Sequence, residues 1–198
     1  MCARRAVAQE LNRTRILEEA KELFTLRGYN QLTMRHIANS LGYSHGALYY
    51  HFKDKAELFY SMVAEDFDKL LGLQKEFIQH DQPRMEGLKR IMLEFIRFGM
   101  ENPHHYEIMF MVRDPELLRY TRPMQNQCLE LFYAMVVRVV GKGSGGSGFD
   151  QYMMAHSLFM SLHGFVSFCI HTYRTFAEVE QLAKAHVDFL CEGLVQTV

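Results

Sequence analysis

The sequence predicts an all-α protein. Apolar residues recur at intervals of three and four along most of its 198 residues. Helical segments begin on capping side chains and stop at glycine or proline, and neither period-2 runs nor an Asn-Gly hairpin turn occurs. The first element, "NRTRILEEAKELFTLR" from Asn12 to Arg27, sets Ile16, Ala20, Leu23, Phe24 and Arg27 on one line, with Glu18, Glu19 and Glu22 off it, and Gly28 ends it. Met34, Ile37, Ala38 and Leu41 form the stripe of a second helix that Thr33 caps and Gly42 stops. After Ser44, a natural N-cap, a third helix of about two turns runs from His45 to roughly His51. Asp54 and Glu57 supply a capping box for a fourth. Its Leu58, Phe59, Met62, Val63, Phe67 and Leu70 carry the apolar band to about Ile78, and Pro83 closes the unit. Beyond it, helices are expected over Met85 to Met100, in the short "HHYEIMFMV" up to Asp114-Pro115, and over Glu116 to Val140. Gly141 to Gly148, "GKGSGGSG", has the composition of a flexible linker and resembles an engineered spacer. Two further helices, Phe149 to Tyr173 and Ala177 to Val195, close the chain.

Composition narrows the function classes. No window approaches the ~18 uncharged apolar residues of a membrane span, and no apolar run follows the N-terminal charges as in a secretory signal. Cys2, Cys128, Cys169 and Cys191 form no C-x-x-C pair and read as reduced thiols of a cytoplasmic protein. His104, His105, His156, His163 and His171 have no carboxylate or thiol at chelating spacing, so neither a metal site nor a cofactor is expected. Gly-rich phosphate loops and G-x-S-x-G are absent, which leaves no catalytic residue to name. Up to Tyr60 nine Lys/Arg face six Asp/Glu, whereas the remainder holds thirteen against seventeen. The basic end points to a polyanionic partner.

The second and third helices and the turn between them make a helix-turn-helix, in which the second member enters the major groove of double-stranded DNA. Leu48 and Phe52, four apart, anchor that helix inward. Ser44, His45, Gly46, Ala47, Tyr49, Tyr50 and His51 are left for the outward side. Gly46 and Ala47 allow close backbone approach, Ser44 and His45 offer donors and acceptors, and Tyr49, His51 and Lys55 suit phosphate oxygens. Arg4, Arg5, Arg13 and Arg15 form a basic leader, of which residues 1–10 are expected to be a flexible arm.

"TMRHIANSLGYSHGALYYHFKDKAELF", Thr33 to Phe59, resembles the DNA-binding signature of the tetracycline-repressor (TetR) family, over about Ile16 to Val63. The resemblance implies that Thr33, Arg35, Ser44, His45, Tyr49, His51 and Lys55 contact operator DNA. It departs at Ala47, where the family most often has threonine, and at His45, where Lys or Arg is more usual. It implies residues 1–60 as a three-helix DNA-binding domain, and residues 61–198 as a helical domain that dimerises and binds a small effector. "NPHHYEIMFM" and "SLHGFVSF" are similar to a C-terminal subclass marked by Trp-His-Gly, with Leu162 at the Trp position.

Within the second half, Phe95, Phe98, Tyr106, Met109, Phe110, Phe159, His163 and Val166 are candidates for an apolar cavity, although the same spacing also suits plain core. Phe165, Phe168, Leu182, Phe189, Leu190 and Leu194 give the last two helices more apolar surface than one chain needs, so a homodimer is expected. The function expected is a ligand-responsive repressor on a palindromic operator. A helix-turn-helix dimer without an effector, or a helical enzyme, are the rivals.

Overall fold

The computed structural model describes residues 10–79, 85–141, 148–172 and 174–195, and every regular element among them is helical. Arg4, Arg5, Cys2, Pro83, Tyr173 and residues 142–147 of the spacer lie outside the described residues. The chain packs as two compact units. The first runs through Glu65 and takes in Glu107–Thr121, and the second comprises Asp66–Tyr106 and Arg122–Val198.

Unit 1 begins with α1 (Arg13–Gln31), whose N-cap Asn12 accepts a hydrogen bond from the Arg15 N–H at 2.9 Å. Gly28 breaks it with φ 68°, a left-handed value that a side chain would resist. Helix α2 (Met34–Leu41) starts where the Thr33 hydroxyl accepts from the His36 N–H at 3.2 Å. It ends where Gly42 turns left-handed at φ 76°. The Gly42 N–H then bonds the Asn39 carbonyl at 3.2 Å and the Tyr43 N–H bonds that of Ala38 at 2.9 Å, a Schellman closure. Helix α3 (His45–Tyr49) is shorter than the expected two turns. Its successor α4 (Lys55–Gln79) is capped by Asp54 as expected, with Glu57 reaching back one residue further than a capping box requires. Asp54 Oδ1 accepts from the Glu57 N–H at 2.7 Å, while the Glu57 carboxylate reaches back to the Lys53 N–H, also at 2.7 Å. Ile16, Ala20, Phe24, Ile37, Leu48, Phe52 and Phe59 are the buried centre of this unit.

The first compact unit extends past the expected boundary at residue 60 to Glu65, and residues 107–121 pack with it. Packing and a polar bond account for it. Tyr60 stacks on Tyr120 with centroids 5.5 Å apart, and the Tyr29 hydroxyl donates to Asp114 Oδ1 at 3.2 Å. Burial first, and then the Asp114 carboxylate, pushes the Tyr29 phenol well above its ordinary range.

Unit 2 contains α5 (Met85–Glu101), which packs against both α8 (Gly148–His171) and α9 (Phe176–Val195). A short α6 (Pro103–Tyr106) leads into a π-helical turn over Glu107–Met111, and α7 (Pro115–Val140) follows. Gly99 sits where α5 meets its neighbours: a Cβ built there would lie 2.5 Å from Val166 Cγ1 and 2.9 Å from Tyr106 Cδ2. Cys128, Cys169 and Cys191 are all buried thiols, and burial pushes Cys128 up to about 12 and Cys191 up to about 11. One sequence expectation is overturned: Gln151–His171 of α8 is long and apolar enough, by length and composition, to cross a membrane. In unit 2 its Ala155, Leu158, Leu162, Val166 and Cys169 are buried along one line, and 28% of its apolar window is buried in all.

Candidate nucleic-acid interface and effector cavity

Helix α3 is held by two buried apolar side chains, Leu48 and Phe52. Their burial turns the opposite side out. Ser44, His45, Gly46 and Tyr49 are exposed, Tyr50 is 88% exposed, and Ala47 and His51 are half-buried. Ser44 caps through its backbone alone and makes no side-chain capping bond, so its hydroxyl is not committed to the helix end. The His45 and Tyr49 rings meet edge to face at 4.9 Å, and Tyr50 meets His51 in the same way at 5.2 Å. Thr33 and Arg35, at the start of α2, are exposed as well. This surface is short, small at its leading end and aromatic at its trailing end. It is suited to base-edge contact first and phosphate contact behind.

Lys55, expected on DNA, is engaged by groups of unit 1. Lys55 donates to the Tyr29 carbonyl, and its ammonium lies 3.7 Å from the Tyr29 ring centroid. Burial lowers its pKa, with the Asp114 charge acting in the opposite direction. The cation–π contact and the carbonyl are its partners within unit 1. Arg13 likewise lies 4.0 Å over the Phe52 ring, donates to the His51 carbonyl and to Ser61 Oγ at 3.2 Å, and pairs with Glu57 at 3.5 Å. It therefore clamps α1 to the end of the reading helix. Arg15 approaches the Tyr43 ring at 5.8 Å.

In unit 2 a void of about 10 Å³ is lined by Leu70, Gln74, Ile91, Met92, Phe95, Phe132, Phe159 and Leu162. Of the residues expected there, Phe95 and Phe159 are present, their rings 5.8 Å apart. Tyr106 and His163 share a hydrogen bond of 2.7 Å, and Val166 packs against Gly99. Burial raises the Tyr106 phenol and lowers the His163 imidazole. Phe98 is not among the lining residues, and Met109 and Phe110 belong to the segment that folds with unit 1. Sequence reasoning missed Gln74. Its signal was a polar residue on the buried stripe Phe67, Leu71, Gln74 of α4. Leu162, at the Trp position of the subclass pattern, is one wall.

On the last two helices Phe168 is 68% exposed and Phe189 is 73% exposed. Leu182 is exposed too, while Phe165 and Leu190 are half-buried. Leu194 is corrected: at 2% exposure it is buried within its own chain and has no surface to offer a second copy.

Residues 16–62 match the bacterial regulatory proteins of the tetR family, and residues 88–190 match the tetracyclin repressor-like C-terminal domain. A helix-turn-helix transcriptional regulator of Staphylococcus aureus is 35% identical over 92 residues, 46% of this chain and 49% of that protein. This chain thus spans about half the length of that relative. The transcriptional activator FasR of Mycolicibacterium smegmatis is 23% identical over 187 residues, 93% of this chain and 80% of that one. The TetR-family regulator PfmR of Thermus thermophilus superposes with a TM-score of 0.67 at 26% identity, covering 92% of this chain and 97% of its own. FadR of Bacillus subtilis, solved in complex with stearoyl-CoA, superposes with a TM-score of 0.71 at 18% identity, covering 94% and 100%. With both halves of the chain matched in order, this protein belongs to the tetracycline-repressor family of helix-turn-helix, DNA-binding transcriptional regulators.

Proposed function

We propose that the chain is a repressor that occupies a palindromic operator as a homodimer and leaves it when a small, largely apolar effector enters unit 2. The observation that carries the DNA half is the two-sidedness of α3: Leu48 and Phe52 are buried, and Ser44, His45, Gly46, Tyr49 and Tyr50 are exposed. Pairing is supported by α8 and α9. Gln151–His171 contains no Asp, Glu, Lys or Arg, yet Phe168 on it and Phe189 on α9 face outward. An isologous pairing covers such surface and sets two reading helices one DNA turn apart, about 34–36 Å.

The effector reading is supported by the apolar void and by the fold shared with a regulator solved with stearoyl-CoA. Moving the dimer from 1:99 to 99:1 between its two states takes about 5.5 kcal/mol of differential affinity. At ~25 cal/mol per Å², that corresponds to about 220 Å² of apolar ligand surface buried in one state and not the other. A slender hydrocarbon chain supplies this area.

Fluorescence anisotropy on palindromes selected from random DNA tests the proposal. Specific, salt-sensitive binding of two chains per site is expected. Tyr49→Ala should weaken it about tenfold, the order of a lost contact or two, with an unchanged melting temperature. Phe189→Glu should sediment as a monomer and lose operator affinity. Binding that is neither specific nor salt-sensitive refutes the DNA half, and a dimeric Phe189→Glu refutes the pairing face.

A further inference from the structure

The wall of the unit 2 void contains one amide that is only half paired. Gln74 is 3% exposed, and its Nε2 donates to the Cys128 carbonyl at 3.1 Å. A carbonyl accepts and never donates, so this bond fixes which way round the amide sits. The nitrogen is the atom on Cys128 of α7, and Oε1 is the atom left over. Oε1 is buried with no hydrogen-bond partner among the described residues. The side chains of Leu70, Met92, Phe95, Phe132 and Phe159 around the void bring no N–H or O–H donor. At about 10 Å³ the void is at the lower limit for one water. A water there would meet few of the three or so partners that hold buried waters in place. Native interiors leave few acceptors in this condition, and those they leave call for a partner from elsewhere.

We propose that this cavity takes a slender apolar molecule carrying one neutral hydrogen-bond donor, a hydroxyl or an N–H, which it donates to Gln74 Oε1. The inference rests on the effector reading above and adds the chemistry of the ligand's polar group. A carboxylate brings lone pairs against a lone pair at that point and is disfavoured; an ether brings no proton and leaves Oε1 unpaired. The resting void is far smaller than any such ligand, so entry parts the aromatic walls.

The test is calorimetric titration of the full-length chain with 1-octanol, octyl methyl ether and octanoate, three probes of one alkyl length. Octanol is expected to bind about tenfold more tightly than the ether, the range of one buried neutral hydrogen bond, and octanoate more weakly than either. Gln74→Met, which conserves volume, should bring octanol and the ether within about twofold of each other. Equal affinity of octanol and ether for the unaltered chain overturns the inference while leaving the effector reading intact. So does a preference for octanol that survives in Gln74→Met. Heat from none of the three removes both readings. If Gln74→Met fails to fold, the comparison on the unaltered chain decides alone.

Discussion

Gly99→Ala sets two effects of known size against each other inside α5. Alanine in a helix interior is favoured over glycine by about 0.8–1.0 kcal/mol, so propensity alone predicts a gain. The new methyl, however, would lie 2.5 Å from Val166 Cγ1 and 2.9 Å from Tyr106 Cδ2, about 1 Å inside the ~3.5–4.0 Å at which carbon atoms rest against each other. Neither neighbour yields easily. Val166 is fully buried and stiff at its first torsion. The Tyr106 ring is held by His163 on its hydroxyl and by Phe95 at its edge, 5.7 Å between centroids. Overpacking of this kind costs about 1–3 kcal/mol, so the net change is a loss of about 1 kcal/mol and a melting temperature lower by about 2–4 °C for a chain of this size. Gly72→Ala in α4 is the control, since a Cβ there meets nothing within 4 Å. Only propensity acts at that position, and the melting temperature should rise by about 2–4 °C. Circular dichroism melts at one fixed protein concentration compare the three proteins, because the proposed dimerisation would make the midpoint concentration-dependent. A Gly99→Ala protein that melts as high as Gly72→Ala refutes the packing argument.

Arg13, Lys55 and the half-buried His163 supply the remaining predictions. Arg13→Ala should lower stability by about 1 kcal/mol, the scale of a half-exposed charged clamp, and weaken operator binding through loss of the hold on α3. Its salt slope should stay that of the parent, whereas Arg35→Ala should reduce the slope by about one. Lys55→Met should likewise keep the parent slope, and a slope reduced by about one in either variant would place that residue on the phosphates. Burial holds the His163 imidazole below its ordinary value, so below about pH 6.5 the unfolded chain binds more protons there than the folded chain does. Stability therefore falls as the pH drops through that window. His163→Gln should flatten the decline between about pH 7.5 and about pH 5.5, and identical declines for the two proteins would contradict the assignment.

The elements legible in the sequence are those written in local chemistry. Thr33, Gly42 and Asp54 act on backbone groups a few residues away, and each does in the structure what its spacing implies, while Glu57 reaches back to the Lys53 N–H, one residue beyond the N-cap. Leu48 and Phe52 were legible for the same reason: one step of four residues decides which side of α3 is buried. Long-range partners were not legible. Arg13 meets the His51 carbonyl across 38 residues, and Lys55 meets Tyr29 across 26. A cation with a long aliphatic stem gives no local sign of whether it lies over a ring or extends into water. The same limit explains Leu194, which is spaced like its exposed neighbours yet packs within its own chain. It also explains the loan of residues 107–121 to the first unit. Gln74 was a different kind of omission: the stripe showed it, but a polar residue among apolar ones attracts notice only once the void beside it is known.

That loan has a consequence for anyone building chimeric regulators by exchanging heads and bodies. A head cut after Glu65 and grafted to a foreign body would leave Asp114 and Tyr120 behind. The Tyr29 hydroxyl would then lose its acceptor, and Tyr60 the ring it stacks on. A transplant that is to keep its own operator must carry residues 107–121 with it, or be given a host whose equivalent segment offers a carboxylate and an aromatic ring at those two places.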